Sequence, residues 1–278
     1  MDICFKNNAG SVEMGRNGDI RIISISGLAS PKKIRNTASY AGIAGAVLLS
    51  ETPSARTITV SGDIKISPYS DAFMSKMLRV LDKEGILYIK NSKKRCIKCS
   101  VSDIEFSPKG RVYKEFIIQF TADYPYFTDN EYRQAYLFSR VKNIIPPFTL
   151  PRIFSKRVNE AEVRNTGDIR SYPTVKVHFY SDCSENARVT IYNDTTQKSL
   201  AVLHRARRGD IVTVDAENRI ITSERDGNIE NITSSVSDDS YISDLYFEPG
   251  KNDIRIILEN CGEAEAECLY KNSYIEDI

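Results

Sequence analysis

Tryptophan is absent from the 278 residues, and histidine occurs only twice, at His178 and His204. Acid–base catalysis runs most often through a histidine oriented by a partner. His178 shares its strand face with Lys176 and Tyr180 rather than with a carboxylate or nucleophile, so a hydrated surface histidine is expected there. Long hydrophobic runs are missing too. The longest, residues 41–49, is interrupted by Gly42 and Gly45 and falls far short of the roughly 20 residues of a membrane helix; it is read as a loop or buried segment, and no membrane association is expected. The opening MDICFKNN has no basic stretch followed by an apolar core, so no secretory signal is expected and synthesis in a cytoplasm is. Nor does one charge dominate: 38 Lys and Arg face 37 Asp and Glu, for a net charge of +1. That balance excludes the basic footprint of a sequence-specific nucleic-acid binder.

What is present offers little chemistry. Six cysteines (Cys4, Cys96, Cys99, Cys183, Cys261, Cys268) could make three bridges, but in a long chain without a signal peptide they are expected reduced and packed. Cys96 and Cys99 stand at metal-knuckle spacing, yet no second pair accompanies them. In a strand those two positions point to opposite faces. Asp238 with Asp239, or Glu263, Glu265 and Glu267, could in principle flank a sugar bond. The alternation of Glu with Ala264 and Ala266 reads instead as the solvent face of a strand. Gly10, Gly15 and Gly18 lack the preceding strand and following Gly-Lys-Ser of a phosphate loop and are read as turn residues. Lys93, Lys94 and Arg95 form a short basic run, read as a hydrated loop or a contact for an acidic neighbouring subunit. Asn193-Asp-Thr and Asn231-Ile-Thr match glycosylation spacing but carry no weight without a secretory route. Arg208-Gly209-Asp210 reads as a turn into a strand. No catalytic, cofactor-binding or metal-ligating residue is assigned, no cofactor is expected, and the chain is read as not an enzyme.

The organisation is mainly β with one or two helices. Ile58, Val60, Ile64 and Ile66 alternate with polar neighbours as in a half-buried strand, with Gly62 in phase as a bulge. Residues 67–85 open on Ser67 and Pro68, close on Gly85, and gather Phe73, Met74, Met77, Leu78 and Leu81 into one apolar stripe, which predicts a helix lying on a sheet. Strands follow at 86–90, 95–106 and 112–121, the last two joined by the turn at residues 107–110. Three prolines within residues 144–151 stiffen the chain. The expected division is therefore 1–143, a linker at 144–152, and 153–278. The second part alternates at Val175, Val177 and Phe179, at Val189 and Ile191, and at Ile254, Ile256 and Leu258, with turn signals between, as in a β-sandwich or jelly roll.

Several segments, in order, resemble the distal tail protein family of siphophages. Arg56-Thr-Ile-Thr-Val-Ser-Gly-Asp-Ile64 resembles its signature strand. Phe116-Ile-Ile-Gln-Phe-Thr-Ala-Asp-Tyr-Pro-Tyr-Phe127 resembles the segment closing its amino-terminal domain. Asn165-Thr-Gly-Asp-Ile-Arg-Ser-Tyr-Pro173 resembles the entry to its carboxy-terminal domain, and Gly209-Asp-Ile-Val-Thr-Val-Asp215 and Glu248-Pro-Gly-Lys-Asn252 two later turns. The marks span about residues 19–258; residues 1–18 and 260–278 carry none. The resemblance implies an amino-terminal split-barrel domain with one covering helix, assembling as a homo-hexamer ring, and a peripheral carbohydrate-binding-module-like sandwich. It implies a hub at the virion tail tip, with a tail tube protein above, a tail-associated tip protein below, and receptor-binding or adhesion proteins on the second domain. Two other readings stay open. One is a cell-wall saccharide-binding module using Tyr172, Tyr180, Tyr192, Tyr241 and Tyr246; the other is a wall-cutting tail-tip enzyme, which the scarcity of histidine disfavours.

Overall fold

The computed structural model describes residues 2–16, 18–42, 44–65, 70–91, 93–109, 112–142 and 155–277. The Pro-rich stretch, Ile66 and the expected helix caps Ser67 and Pro68 lie outside them. The chain forms two compact units, Met1–Asn130 with Ser273–Ile278, and Glu131–Asn272. The expected division kept residues 131–143 with the first part and the chain end with the second. Cross-strand pairing, which local sequence does not display, assigns them otherwise.

The first unit holds β1 (Asp2–Asn7), β2 (Gly10–Met14), β3 (Ile20–Ser26), β4 (Lys33–Ala38), β5 (Val47–Pro53), β6 (Arg56–Lys65), α1 (Ser70–Leu81), β7 (Gly85–Lys90), β8 (Arg95–Lys109), β9 (Tyr113–Ala122) and β10 (Phe127–Asp129). Its main sheet runs β2-β1-β7-β8-β9-β6-β3. The long strand β8 pairs with β7 through its first residues and with β9 through the rest. A bulge between Val101 and Asp103 lies in that second stretch, and bulges bend strands. The two halves face each other across a shared core in which Phe5 of β1 meets Phe120 of β9 at 5.4 Å between ring centres. The end strands meet at one bridge, Gly15 to Arg21, held by Gly15 N–H to Ile20 O (3.1 Å) and Ile22 N–H to Gly15 O (3.0 Å). Among the described residues the rest of that seam is not joined, as in a split barrel.

Period-two alternation in β6 delivers Ile58, Val60 and Ile64 to this core. Gly62 is not the bulge: the register shift lies opposite it, between Ile22 and Ser24 of β3. Its small size answers to packing, because a Cβ there would sit 2.0 Å from the Arg21 carbonyl oxygen and 2.8 Å from the Phe116 ring. Gly62→Ala is therefore expected to destabilise the first unit by about 2–3 kcal/mol, read as a fall in the denaturant midpoint.

The helix α1 packs on β1 and β2. Met77, Val80 and Leu81 are buried and Met74 is partly buried, whereas Phe73 and Leu78 are each 39% exposed. The buried line is thus rotated from the expected stripe, gaining Val80. Asn7 closes the helix end by donating from Nδ2 to the Val80 carbonyl (2.6 Å) and the Lys83 carbonyl (3.3 Å), carbonyls of the kind a helix terminus leaves unpaired.

The second unit is a two-sheet antiparallel sandwich. One sheet is β12-β11-β21-β14-β17-β18-β19, made of β11 (Arg133–Lys142), β12 (Ser155–Val158), β14 (Thr174–Phe179), β17 (Ile211–Asp215), β18 (Ile220–Arg225), β19 (Asn228–Asn231) and β21 (Ala264–Tyr270). The other is β13-β20-β15-β16, made of β13 (Glu160–Asn165), β15 (Arg188–Asn193), β16 (Lys198–Leu203) and β20 (Gly250–Glu259). Val175, Val177 and Val212 from the first and Val189, Ile191, Ile254 and Ile256 from the second share one core, as the alternation predicted. Each such side chain contributes on the order of 1.5–3 kcal/mol by leaving water. The last strand, β22 (Ser273–Tyr274), pairs with β10 in the first unit.

Candidate assembly surface

Among the described residues β4 and β5 pair only with each other. Cross-strand ion pairs fix the ribbon: Lys33 Nζ and Arg35 Nε each reach Glu51 at 2.6 Å, and Asn36 donates to Ser50 Oγ at 2.9 Å. Hydrogen bonds from these two cations hold the Glu51 carboxyl below the usual carboxylate range. Ile34, Tyr40, Val47, Leu48 and Leu49 are all more than half exposed. An isolated two-stranded hairpin is marginal in water, and large exposed apolar side chains concentrated on one such element point to an interaction site. Residues 41–49, expected to be loop or buried segment, thus include an exposed strand instead. Apolar residues inside their own fold and apolar residues awaiting a partner look identical in sequence.

The root of this ribbon is clamped. Arg56, next after it, is 2% exposed. Its guanidinium donates to four main-chain carbonyls: Pro125 (2.5 Å), Gly27 (2.7 Å), Ala29 (2.5 Å) and Ile275 (2.6 Å). It lies 4.7 Å from the centre of the Phe127 ring. Burial lowers its pKa from the ordinary arginine value, yet a guanidinium stays charged in proteins. One side chain thereby ties β6, the loop after β3, the turn before β10 and the chain end. Arg95 also serves the chain end, donating to the Glu276 carbonyl (2.5 Å) and stacking 3.5 Å from the Tyr274 ring centre. Lys93 lies 3.8 Å from the Glu276 carboxylate. The basic run expected to be hydrated or to meet another subunit is thus occupied in part by this chain's own terminus. Asn91 donates to Asp277 Oδ1 at 3.0 Å, and the Asp277 N–H donates to the Leu28 carbonyl at 3.0 Å.

The groups that might have carried chemistry are dispersed. His178 does face carboxylates, contrary to expectation: it pairs across the sheet with Glu265 and its Nε2 lies 3.9 Å from Glu267. Those glutamates line the solvent side of β21 while Ala264 and Ala266 are buried. Burial holds the His204 imidazole below its ordinary value. Cys96 and Cys99 are buried, Cys96 directed to Thr128 Oγ1 at 3.6 Å and the Asp129 carbonyl at 3.8 Å; burial pushes Cys99 up to about 12. Asn193 of the glycosylation-like triplet is buried and donates to the Tyr246 carbonyl at 2.9 Å. Tyr172 and Tyr246 meet edge to face at 6.4 Å, and Arg170 covers Tyr246 at 4.3 Å. Among the described residues no group of three or more His, Cys, Asp or Glu could hold a metal ion, and no helix is long and apolar enough to cross a membrane.

Residues 9–122 match the family model of the phage tail protein RIFT-related domain, and residues 166–274 match that of the C-terminal domain of the siphovirus-type tail component. The chain belongs to the siphovirus-type tail components. No curated protein matches this tail component in sequence. Solved structures share its fold. The SPP1 Dit protein, described as a paradigm of hub adsorption apparatus in phages infecting Gram-positive hosts, aligns at a TM-score of 0.63 and 12% identity over 91% of this chain and 93% of that one. A chain of the phage P2 baseplate, in its activated conformation with Ca, aligns at a TM-score of 0.56 and 12% identity over 98% of this chain and 97% of that one. The same baseplate with Sr gives a TM-score of 0.56 at 11% identity.

In the tail component the family-like segments are structural locks. Arg56 heads the first, and its partners Pro125 and Phe127 close the second. Asn165 folds the Asn-x-Gly turn, accepting from Gly167 N–H at 2.9 Å and donating to the Ile169 carbonyl at 2.9 Å and the Phe247 carbonyl at 3.1 Å. Asn252, fully buried, accepts from Glu248 N–H at 3.0 Å and donates to the Glu248 carbonyl at 2.8 Å. Asp210, also fully buried, accepts two bonds of 2.5 Å from Arg225 and one of 2.8 Å from Arg207 N–H. Burial alone would raise its pKa; the Arg225 and Arg207 bonds hold it below the ordinary value instead. A depressed folded-state pKa contributes stability that is present above the unfolded value and lost as pH falls through the folded one. Thermal scans from pH 6 down to about 2 should show Asp210→Asn less stable by about 1–3 kcal/mol at pH 6, with the gap closing at the acid end.

Proposed function

We propose that six copies of this chain close into a ring through the first unit, forming the hub that joins the tail tube above to the tip proteins below, with the second unit carrying receptor-binding or adhesion proteins. The observation that carries the reading is the two-stranded ribbon rooted beside a buried clamp, whose large apolar side chains are more than half exposed. A head-to-tail ring needs two different complementary surfaces on each subunit. The ribbon supplies one, and the unjoined edges of β2 and β3 supply hydrogen-bonding groups for another. The family is structural, and the chain acts by holding geometry, not by catalysis. A tail-tip component of this kind is assembled in the host cytoplasm and released with the particle. Gold-labelled antibody against the chain should mark the distal tip of intact tails under the electron microscope; label on the capsid, along the tube or nowhere on the particle would overturn the assignment.

A further inference from the structure

After β14 the chain runs past the segment that follows β20, antiparallel to it. Tyr180 N–H donates to the Glu263 carbonyl (2.8 Å), Glu263 N–H to Ser181 Oγ (2.7 Å), and Ser184 N–H to the Asn260 carbonyl (3.1 Å). Counting back one residue from Ser184 and forward one from Asn260 sets Cys183 opposite Cys261. The alignment makes the two cysteines neighbours across the two main chains, and a disulfide spans Cα separations of roughly 4.4–6.8 Å. Both cysteines are free, Cys183 is buried, and Cys261 is half-buried against the same core, its Sγ directed to the Glu259 carbonyl at 3.3 Å and the Arg188 carbonyl at 3.7 Å.

We propose that Cys183 and Cys261 are a disulfide-forming pair, reduced while the chain folds and oxidised to a bridge by low-molecular-weight disulfide once the particle leaves the reducing cytoplasm. The partly open Cys261 thiolate attacks the oxidant, for instance oxidised glutathione, and expels one glutathione thiolate; Cys183 then displaces the second. Two protein thiols and one glutathione disulfide thus become one protein disulfide and two glutathione thiols. The bridge joins the end of the β14 connection to the end of β20, stapling the two sheets of the sandwich at one edge. Burial, then the neighbouring Cys183 thiol, pushes Cys261 up to about 12, which keeps thiolate scarce and closure slow. The remaining cysteines offer internal controls: Cys268 is sealed in the sandwich core, and Cys4, Cys96 and Cys99 belong to the first unit.

The test treats the purified full-length chain with oxidised glutathione for a day, blocks free thiols with iodoacetamide, and reads intact mass, peptide map and melting temperature. The expected result is a species about 2 Da lighter before blocking, with the peptides of Cys183 and Cys261 linked. It should melt on the order of 10 °C higher in its second unit, because the bridge closes a long loop. Cys261→Ser and Cys183→Ala should each abolish the link, and Cys268→Ala should keep it. A stable glutathione adduct on Cys261, or both thiols still free while the urea-unfolded chain reacts readily, would overturn the proposal. Neither outcome bears on ring formation, which is read from the mass of the assembly.

Discussion

Replacing Arg56 by alanine should cost the first unit about 3–5 kcal/mol, because it takes the donor from one buried and three partly buried carbonyls and removes the cation beside Phe127. The loss would appear as a melting shift on the order of 10 °C and as faster amide exchange in β6, β10 and β22. Lysine should not restore it. A guanidinium spreads its donors in a plane and reaches Pro125, Gly27, Ala29 and Ile275 in several directions, whereas an ammonium is a single point on a flexible stem. Deleting residues 273–278 should reproduce part of the defect, since it removes Ile275 and the Asn91–Asp277 bond. Deletion and Arg56→Ala together should cost less than their sum, as expected of groups sharing one network. An Arg56→Ala protein within about 1 kcal/mol of the parent would contradict the clamp.

The second large effect concerns assembly, not folding. Leu48→Asp with Leu49→Asp places two charges on the ribbon, where both leucines are more than half exposed in the single chain. Exposed substitutions normally move stability by no more than about 0.5 kcal/mol, so the monomer should melt as before. Burying those charges between subunits would cost several kcal/mol per contact. The oligomer should therefore weaken by at least 100-fold, measured by mass photometry across a dilution series. Equal losses of melting temperature and assembly would point to a misfolded arm; unchanged assembly would place the interface elsewhere.

These two sites were legible to different degrees. The alternation at Ile58, Val60 and Ile64, at Val175, Val177 and Phe179, and at Glu263, Glu265 and Glu267 is local, and each reads correctly because a strand exposes its faces in strict turn. Helix α1 was visible too, but not which side of it faces the sheet: Phe73 and Leu78 fall at the margins of the buried line, and Val80 replaces them. Arg56 was recognised as part of a family-like motif without its role, because its partners lie near Gly27, Pro125 and Ile275, far along the chain. The return of residues 273–278 to the first unit and the approach of His178 to Glu267 were hidden for the same reason. The exposure of Val47, Leu48 and Leu49 has no local signal, because apolar composition does not say which surface will cover it.

The central claim is that this chain closes into a ring, and the most direct measurement is the solution mass of the purified protein by light scattering. Six copies of a 31.4 kDa chain, seen in negative stain as a ring with an open channel, is the predicted result. A species that stays at the mass of one chain at every concentration, and does not change when the ribbon leucines are replaced by aspartate, would contradict it.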